Sequence, residues 1–325
     1  MASEPAVEVV DLKKTYGKSV RALDGVSFRV DAGTVFAILG PNGAGKSTTV
    51  KILTTLSRPD SGTATVAGID VLNHPGLVRR HIGCVGQKSG VDREATGREN
   101  LALQGHIFGL SGRALKMRVS DLLDRFALSD AGDRVVRTYS GGMSRRLDIA
   151  IGLIHRPEVL FLDEPTTGLD PEVRVDMWQE IARLADEENI TVVLTTHYLE
   201  EADRLAERLV IVDRGRIVAQ GTPNALKSDL GGDTIQVTLR DSGQTGVAAE
   251  SVAGVEGVDE VTTDSGSMRA RTINGAVMVP TLLAALEAQA IAVASVVVAR
   301  PSLDDVYLKY AGRRFDRADQ EGGRS

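Results

Sequence analysis

The chain has 325 residues, 42% of them hydrophobic and 25% charged, with a formal net charge of −6. That length suits about two domains with ample core, and the negative balance gives no bulk electrostatic basis for gripping nucleic acid. One cysteine excludes an internal disulfide and fits a reducing compartment, and no apolar run reaches the ~20 residues of a membrane-crossing helix, residues 288–299 falling well short.

In chain order, Met1-Ala2-Ser3-Glu4-Pro5 lacks the basic and apolar regions of a secretory signal, which points to a cytoplasmic protein. Apolar and polar positions then alternate at Val7, Val9, Val20, Ala22, Val26, Phe28 and Val30. Turn residues at Gly17, Gly25 and Asp31-Ala32-Gly33 punctuate them, so the pattern predicts antiparallel strands. Val35 to Leu39 is a short apolar run fit for a buried strand. It leads into Gly40-Pro41-Asn42-Gly43-Ala44-Gly45-Lys46-Ser47, a complete G-x-x-x-x-G-K-S phosphate loop, and Ser47 to Leu56 can continue as a helix. The glycines allow a tight turn that aims backbone N–H groups at phosphates. Lys46 can reach the β- and γ-phosphates, and the Ser47 hydroxyl is placed for Mg²⁺. The positive end of the helix faces the same anion. Strand, loop and helix together define a nucleoside-triphosphate site.

Further strands are predicted near Thr63 to Val66 and His81 to Val85, where Cys84 reads as a small half-buried residue. From about Thr96 to Ile154 the pattern turns helical. Thr96 and Glu99 have the form of a capping box, followed by the apolar positions Leu101, Leu103 and Ile107. Ser140-Gly141-Gly142-Met143 opens a partly basic helix, with Ser140 as N-cap and backbone N–H groups open to an anion. Val159-Leu160-Phe161-Leu162 is an apolar strand ending in Asp163 and Glu164. Such a position lies beside the phosphate loop in parallel sheets, where Asp163 would hold Mg²⁺ and Glu164 orient or deprotonate a water. Asp170-Pro171 starts a helix with Asp as N-cap, buried through Val173, Trp178, Ile181 and Leu184. Thr191 to Leu194 is another buried strand. The order implies an α/β fold with a mostly parallel sheet.

A composition shift falls at Leu230-Gly231-Gly232. Beyond it the pattern reads strand 234–239, helix 244–253, strands 257–263 and 267–272, helix 276–289 and strand 291–299, a ferredoxin-like β-α-β-β-α-β order. Residues from 315 onward are polar and glycine-containing, as in a loose tail.

The motifs in this order resemble the ATP-binding cassette (ABC) ATPases over roughly residues 7–226. The resemblance rests on the loop 40–47, Gln87, the signature 140–143, the strand 159–164, Gly168-Leu169-Asp170 and His197. It implies a P-loop NTPase cassette with a RecA-like core, an antiparallel β subdomain and a helical subdomain at residues 95–156. The cassette would span residues 1–228, a small α+β, ferredoxin-like accessory domain 229–311, and a disordered tail 312–325.

By matching position, the resemblance assigns ATP to Tyr16 (stacking on adenine), the loop 40–47, Thr48, Ser140, Gly141, Gly142 and Asp170, and Mg²⁺ to Ser47, Gln87 and Asp163. Catalysis falls to Glu164, His197, Gln87 and Lys46, with His197 on the γ-phosphate and Gln87 touching Mg²⁺ or the lytic water. Two such cassettes pack head to tail, so a second copy or a homologous cassette is expected, with Ser140 and the following glycines completing the partner's site. Tyr139 and Ser144 depart from the common Leu and Gln or Arg of the signature, and neither change removes a catalytic group.

Residues 300–308 and 311–313, with 138–143 and 195–202, resemble daunorubicin-resistance-type cassettes. In several of those a Gln stands at the His197 position, so this chain keeps the more general residue. The resemblance implies an ATPase subunit of a bacterial drug exporter, peripheral on the inner face of the cell membrane. It would act through a separate membrane permease docked on residues 89–94 and the helix from Thr96, with no nucleic-acid partner. Export of lipid, polysaccharide or sodium is the alternative. A soluble cassette acting on ribosomes or DNA fits less well, because the chain carries one cassette and its insert lacks sustained heptads.

Overall fold

The computed structural model describes residues 4–17, 19–264, 266–299, 301–313 and 315. They form two compact units, the break falling between Thr222 and Pro223.

In the first unit β1 (Val7–Tyr16) and β2 (Val20–Val30) pair antiparallel. Gly25 is a bulge within β2 and not a turn: its φ is +86°, and the register slips between Leu12↔Val26 and Lys13↔Asp24. Only glycine adopts that backbone without strain. β3 (Val35–Leu39) is buried at every position and runs into α1 (Lys46–Leu53). Next come β4 (Ser61–Val66), β5 (Ile69–Asp70), α2 (Pro75–His81) and β6 (Ile82–Val85). Cys84 on β6 is exposed, where sequence pattern suggested half-burial.

The helical segment holds α3 (Gly97–Ile107), α4 (Gly112–Arg125) and α5 (Gly141–Gly152). The Thr96–Glu99 capping box is present in both directions. Leu101 is buried on α3, whereas Leu103 and Ile107 face outward at 60% and 69% exposure. β7 (Val159–Asp163), α6 (Pro171–Glu188), β8 (Thr191–Thr196), α7 (Leu199–Leu205), β9 (Arg208–Asp213) and β10 (Arg216–Gly221) complete the unit. Asp170 occupies the N-cap of α6, yet its side chain makes no capping bond; the start is set by Pro171, whose ring fixes helical φ. Trp178, Ile181 and Leu184 of α6 are buried as the periodicity predicts.

Two sheets result, β2-β1-β4-β5 and β10-β9-β3-β8-β7-β6; in the second, the strands from β9 to β6 run parallel and β10 alone is antiparallel. Their shared apolar core includes Val7, Val9, Phe28, Phe36, Val50, Val66, Phe161 and Val193, and Phe28 stacks on Phe36 at 5.2 Å. The antiparallel layer, the parallel sheet and the helical segment are those expected of a cassette. Parallel strands deliver their C-terminal ends to one edge of the sheet. That edge carries the loop after β3, the acids ending β7 and the polar residues ending β8.

The second unit opens with α8 (Pro223–Ser228) and continues with β11 (Asp233–Leu239), α9 (Thr245–Ala253), β12 (Val258–Asp264), β13 (Ser267–Thr272), α10 (Gly275–Ala288), β14 (Val293–Ala299) and α11 (Leu303–Ala311). The predicted β-α-β-β-α-β order is present, and the sheet order is β12-β13-β11-β14, antiparallel throughout. Ile235, Val237, Met268 and Ala270 face Ala248, Val252, Leu282 and Leu286 in its core. The break lies before α8 and not at residue 228, because α8 neighbours α11 in the second unit, with Leu226 on α8 and Leu303, Val306 and Tyr307 on α11 all buried. Of the tail expected over 312–325, Gly312 closes α11 in the left-handed conformation, while residues 314 and 316–325 lie outside those described.

Candidate functional site: the nucleotide site

The phosphate loop is shaped by glycines that tolerate no side chain. Gly45, at φ +110°, would set a Cβ 2.4 Å from the Ala22 carbonyl oxygen. Lys46 is buried at 4% exposure, and its ammonium donates to the carbonyls of Gly40 and Pro41 at 2.7 and 3.1 Å. A cavity of about 300 Å³ is lined by Tyr16, Asn42, Gly43, Ala44, Gly45, Lys46, Ser47, Thr48, Gln87 and Glu164, with Val20, Arg21 and Ala22. Tyr16 stands 41% exposed at its mouth, with the Lys14 ammonium 5.6 Å from its ring centre.

Asp163 and Glu164 occupy different surroundings. One Asp163 oxygen accepts from the hydroxyls of Ser47 at 3.1 Å and Thr195 at 2.5 Å, which joins the phosphate loop to the ends of β7 and β8. Glu164 sits in the left-handed region at φ +49°, its N–H held by Thr195 Oγ1 at 3.0 Å. A non-glycine residue rarely adopts that backbone; here it turns the carboxylate inward, 7% exposed. Lys46 Nζ is 3.5 Å and His197 Nδ1 3.4 Å from Glu164 Oε1, while Gln87 Nε2 and Thr167 Oγ1 donate to Oε2 at 3.1 and 3.3 Å. Burial pushes the Glu164 carboxyl up, but the neighbouring His197 imidazole and the Lys46 charge outweigh it and hold the pKa at about 2. Glu164 is therefore ionised at neutral pH.

Gln87, His197, Lys46 and Glu164 are thus brought together. Ser140, Gly141, Gly142 and Asp170 are not among the residues lining that cavity. Ser140 caps α5 by accepting from the Met143 N–H at 3.2 Å, and it is exposed together with Gly141 and Asp170. Gly142 is buried for packing: a Cβ there would lie 2.5 Å from Val173 Cγ1 on α6. Tyr139 also has a local reason, because its hydroxyl donates to Ala131 O at 2.6 Å and fills the space against Gly97.

Several buried polar residues that sequence reading passed over hold these parts in place. Arg145 on α5 donates to the carbonyls of Pro165, Gly86, Asp163 and Glu164 at 2.7, 2.8, 3.2 and 3.3 Å. Burial lowers its pKa against the opposing charges of Asp148, Asp163 and Glu201. Glu201 of α7, fully buried, accepts from Thr166 Oγ1 at 2.7 Å and Trp178 Nε1 at 2.9 Å. This ties the loop after Glu164 to the helix after His197. The available signal was a charged residue at an apolar helix position, as Arg145 and Asp148 beside Leu147 and Ile149 illustrate.

A glycine loop opening a helix, a buried lysine and an adjacent ionised carboxylate around one cavity define a P-loop nucleoside triphosphatase, and comparisons with known proteins place it further. The family model described as ABC transporter matches residues 23–167, and that for the ATP-binding protein DrrA1-3-like C-terminal domain matches residues 221–311. The daunorubicin resistance ATP-binding protein DrrA2 of Streptomyces coeruleorubidus is 45% identical over 97% of each chain. The Nod factor export ATP-binding protein I of Sinorhizobium fredii is 44% identical over 72% of this chain and 68% of its own. The dimeric, post-hydrolysis ATP-binding cassette MJ0796, bound to ADP and phosphate, superposes with a TM-score of 0.61 at 27% identity, covering 66% of this chain and 98% of that one. The chain belongs to the ATP-binding proteins of ABC transporters, in the daunorubicin-resistance group, and is an ATPase.

Proposed function

We propose that this ATPase drives drug export through a separate membrane permease, as two copies joined head to tail. The observation that carries drug as cargo is the second unit. The DrrA-type C-terminal model covers residues 221–311, and the resemblance to a drug-resistance protein extends over 97% of the chain. The first unit is the nucleotide-binding domain and the second an accessory domain that favours dimerisation. No described helix is long and apolar enough to cross a membrane, so the route across the bilayer belongs to the partner, and this chain sits against the membrane's inner face.

In this reading ATP enters the cavity with adenine on Tyr16 and its phosphates over residues 40–48. Water attacks the γ-phosphorus in line as the bond to the bridging oxygen breaks. Glu164 takes the water's proton, and ADP leaves with the bond's electron pair. Lys46 and His197 balance charge on the γ-oxygens, and Gln87 orients the water. Mg²⁺ fits the donors present: Ser47, Gln87 and Asp163 offer only oxygen ligands near the phosphates. Among the described residues no group of three His, Cys, Asp or Glu forms a metal cage, and Mg²⁺ normally takes few protein ligands beside phosphate oxygens. When bound, it supplies charge neutralisation at the β- and γ-phosphates. Ser140 and the N–H groups after it, exposed here, supply donors to the opposite face of the partner's ATP. This is why a single copy is incomplete.

The test is mass spectrometry of proteins that co-purify with the tagged chain from gently solubilised host membranes. A multi-span membrane protein is expected. Recovery of ribosomal or DNA-associated proteins, with none from the membrane, would overturn the transport reading and leave the ATPase intact.

A further inference from the structure

Gln87 lies on an exposed stretch, residues 86–90, yet its amide meets Glu164 at 3.1 Å. An exposed segment with few apolar contacts is loose unless something grips it. Two side chains of α5, one turn apart and therefore on one face, grip it on either side of Gln87. Arg145 holds the Gly86 carbonyl at 2.8 Å. Asp148 Oδ1 accepts from Ser89 Oγ and from the Gly90 N–H, both at 3.1 Å. Arg145 also binds the carbonyl of Glu164 itself, so one helix sets both partners of the Gln87–Glu164 contact. That helix begins at Ser140.

Asp148 is an expensive choice for a merely structural position. It is 6% exposed, and burial raises its pKa against the bonds from Ser89 and Gly90. An apolar residue would fill the same site at no cost in desolvation.

We infer that Asp148 is a positioning residue for ATP hydrolysis, holding the segment that carries Gln87 to the signature helix so that Gln87 reaches Glu164. The inference rests on the proposed role of Gln87. It makes any movement of α5, whose start faces the partner's nucleotide, a movement of Gln87 as well. Asp148 touches neither nucleotide nor Glu164, so its loss should slow turnover without weakening ATP binding.

The experiment is steady-state hydrolysis of Mg·ATP by the full chain, with kcat and KM separated, for D148A, D148N, S89A, Q87A and the double variant Q87A/D148A. D148A should lower kcat about tenfold with KM within about twofold, a change confined to the barrier of the chemical step. D148N should recover most of the loss, since the Asn carbonyl oxygen can accept both bonds. S89A, on the exposed side, removes one bond without touching the helix and should lower kcat about threefold. It tests the contact even where D148A folds poorly. Q87A/D148A should be no slower than Q87A, because two residues acting through one contact are not additive. Wild-type kcat in S89A, or additive losses in the double variant, would overturn the inference. Wild-type kcat in Q87A would instead overturn the role of Gln87 on which it rests.

Discussion

Glu164→Gln tests the electrostatics of the site through stability as well as activity. The buried carboxyl is held at about pKa 2 against an ordinary value of 4.5, burial raising it and the neighbouring His197 and the Lys46 charge lowering it further. A folded-state pKa below the unfolded one stabilises the fold above the unfolded value, and that contribution disappears as pH falls through the folded value. The gap corresponds to about 3 kcal/mol at neutral pH, at 1.36 kcal/mol per pKa unit. Most of it should survive to pH 4.5, about two fifths should be lost by pH 3.5, and most of the rest should go on approach to pH 2. Glutamine keeps the shape and cannot titrate, so it removes this pH dependence alone. The assay is thermal unfolding of wild type and E164Q without nucleotide, from pH 7 downward. Wild type should lose Tm faster than E164Q below pH 4.5, so the difference between them drifts in E164Q's favour. A difference that stays constant from pH 7 to 3 would refute the ion-pairing of Glu164 with Lys46.

Other outcomes follow from the same geometry. E164Q should bind ATP normally and turn over at less than about 1% of wild type, as expected for loss of a group acting in the transition state; full activity in a single-turnover assay would remove Glu164 from catalysis. K46A should lose nucleotide affinity in a fluorescent-ATP titration, and unchanged binding would contradict the cavity assignment. G142A should lower stability by about 1–3 kcal/mol through the overlap with Val173, and V173A should restore it; Tm values for the two variants and the pair decide the point. W178F leaves the buried Glu201 with Thr166 as its only remaining donor of the two and should cost about 1–3 kcal/mol. An unchanged Tm would show that the Trp178–Glu201 bond contributes nothing.

The strands and loop of the site were legible because each carries a local signal. Residues 35–47 join a fully apolar strand to glycines whose spacing serves one purpose, and 159–164 end an equally apolar strand in two acids. The ferredoxin-like order of the second unit was legible for the same reason, as period-2 and period-3.6 patterns alternate there cleanly. One reading failed where local pattern competes with tertiary context: Gly25 has the look of a turn, but sheet register makes it a bulge. Asp170 and Pro171 start α6 as expected, although the Asp170 side chain makes no capping bond. Leu103 and Ile107 continue the apolar spacing of α3 and face outward at 60% and 69%.

What the sequence hides most completely is the set of long-range polar contacts that make the site rigid. Gln87 and Glu164 are 77 positions apart, and so are invisible to any window, but they meet at 3.1 Å. The reason lies in residues such as Arg145, whose guanidinium collects carbonyls from two distant stretches of chain, residue 86 and residues 163–165. A charge removed from water is destabilising unless every donor finds an acceptor. Arg145 satisfies that condition only while the ends of β6 and β7 and the loop after Glu164 stand where catalysis needs them. The cost of burying the charge thus works as a constraint, because a misplaced Gly86 or Glu164 strands a guanidinium donor. A site assembled this way tolerates exposure of the Gln87 segment because its register is set from the buried side. The same helix carries Ser140 at its N-cap, so in the proposed head-to-tail pair the two halves of the ATP site would share one rigid element.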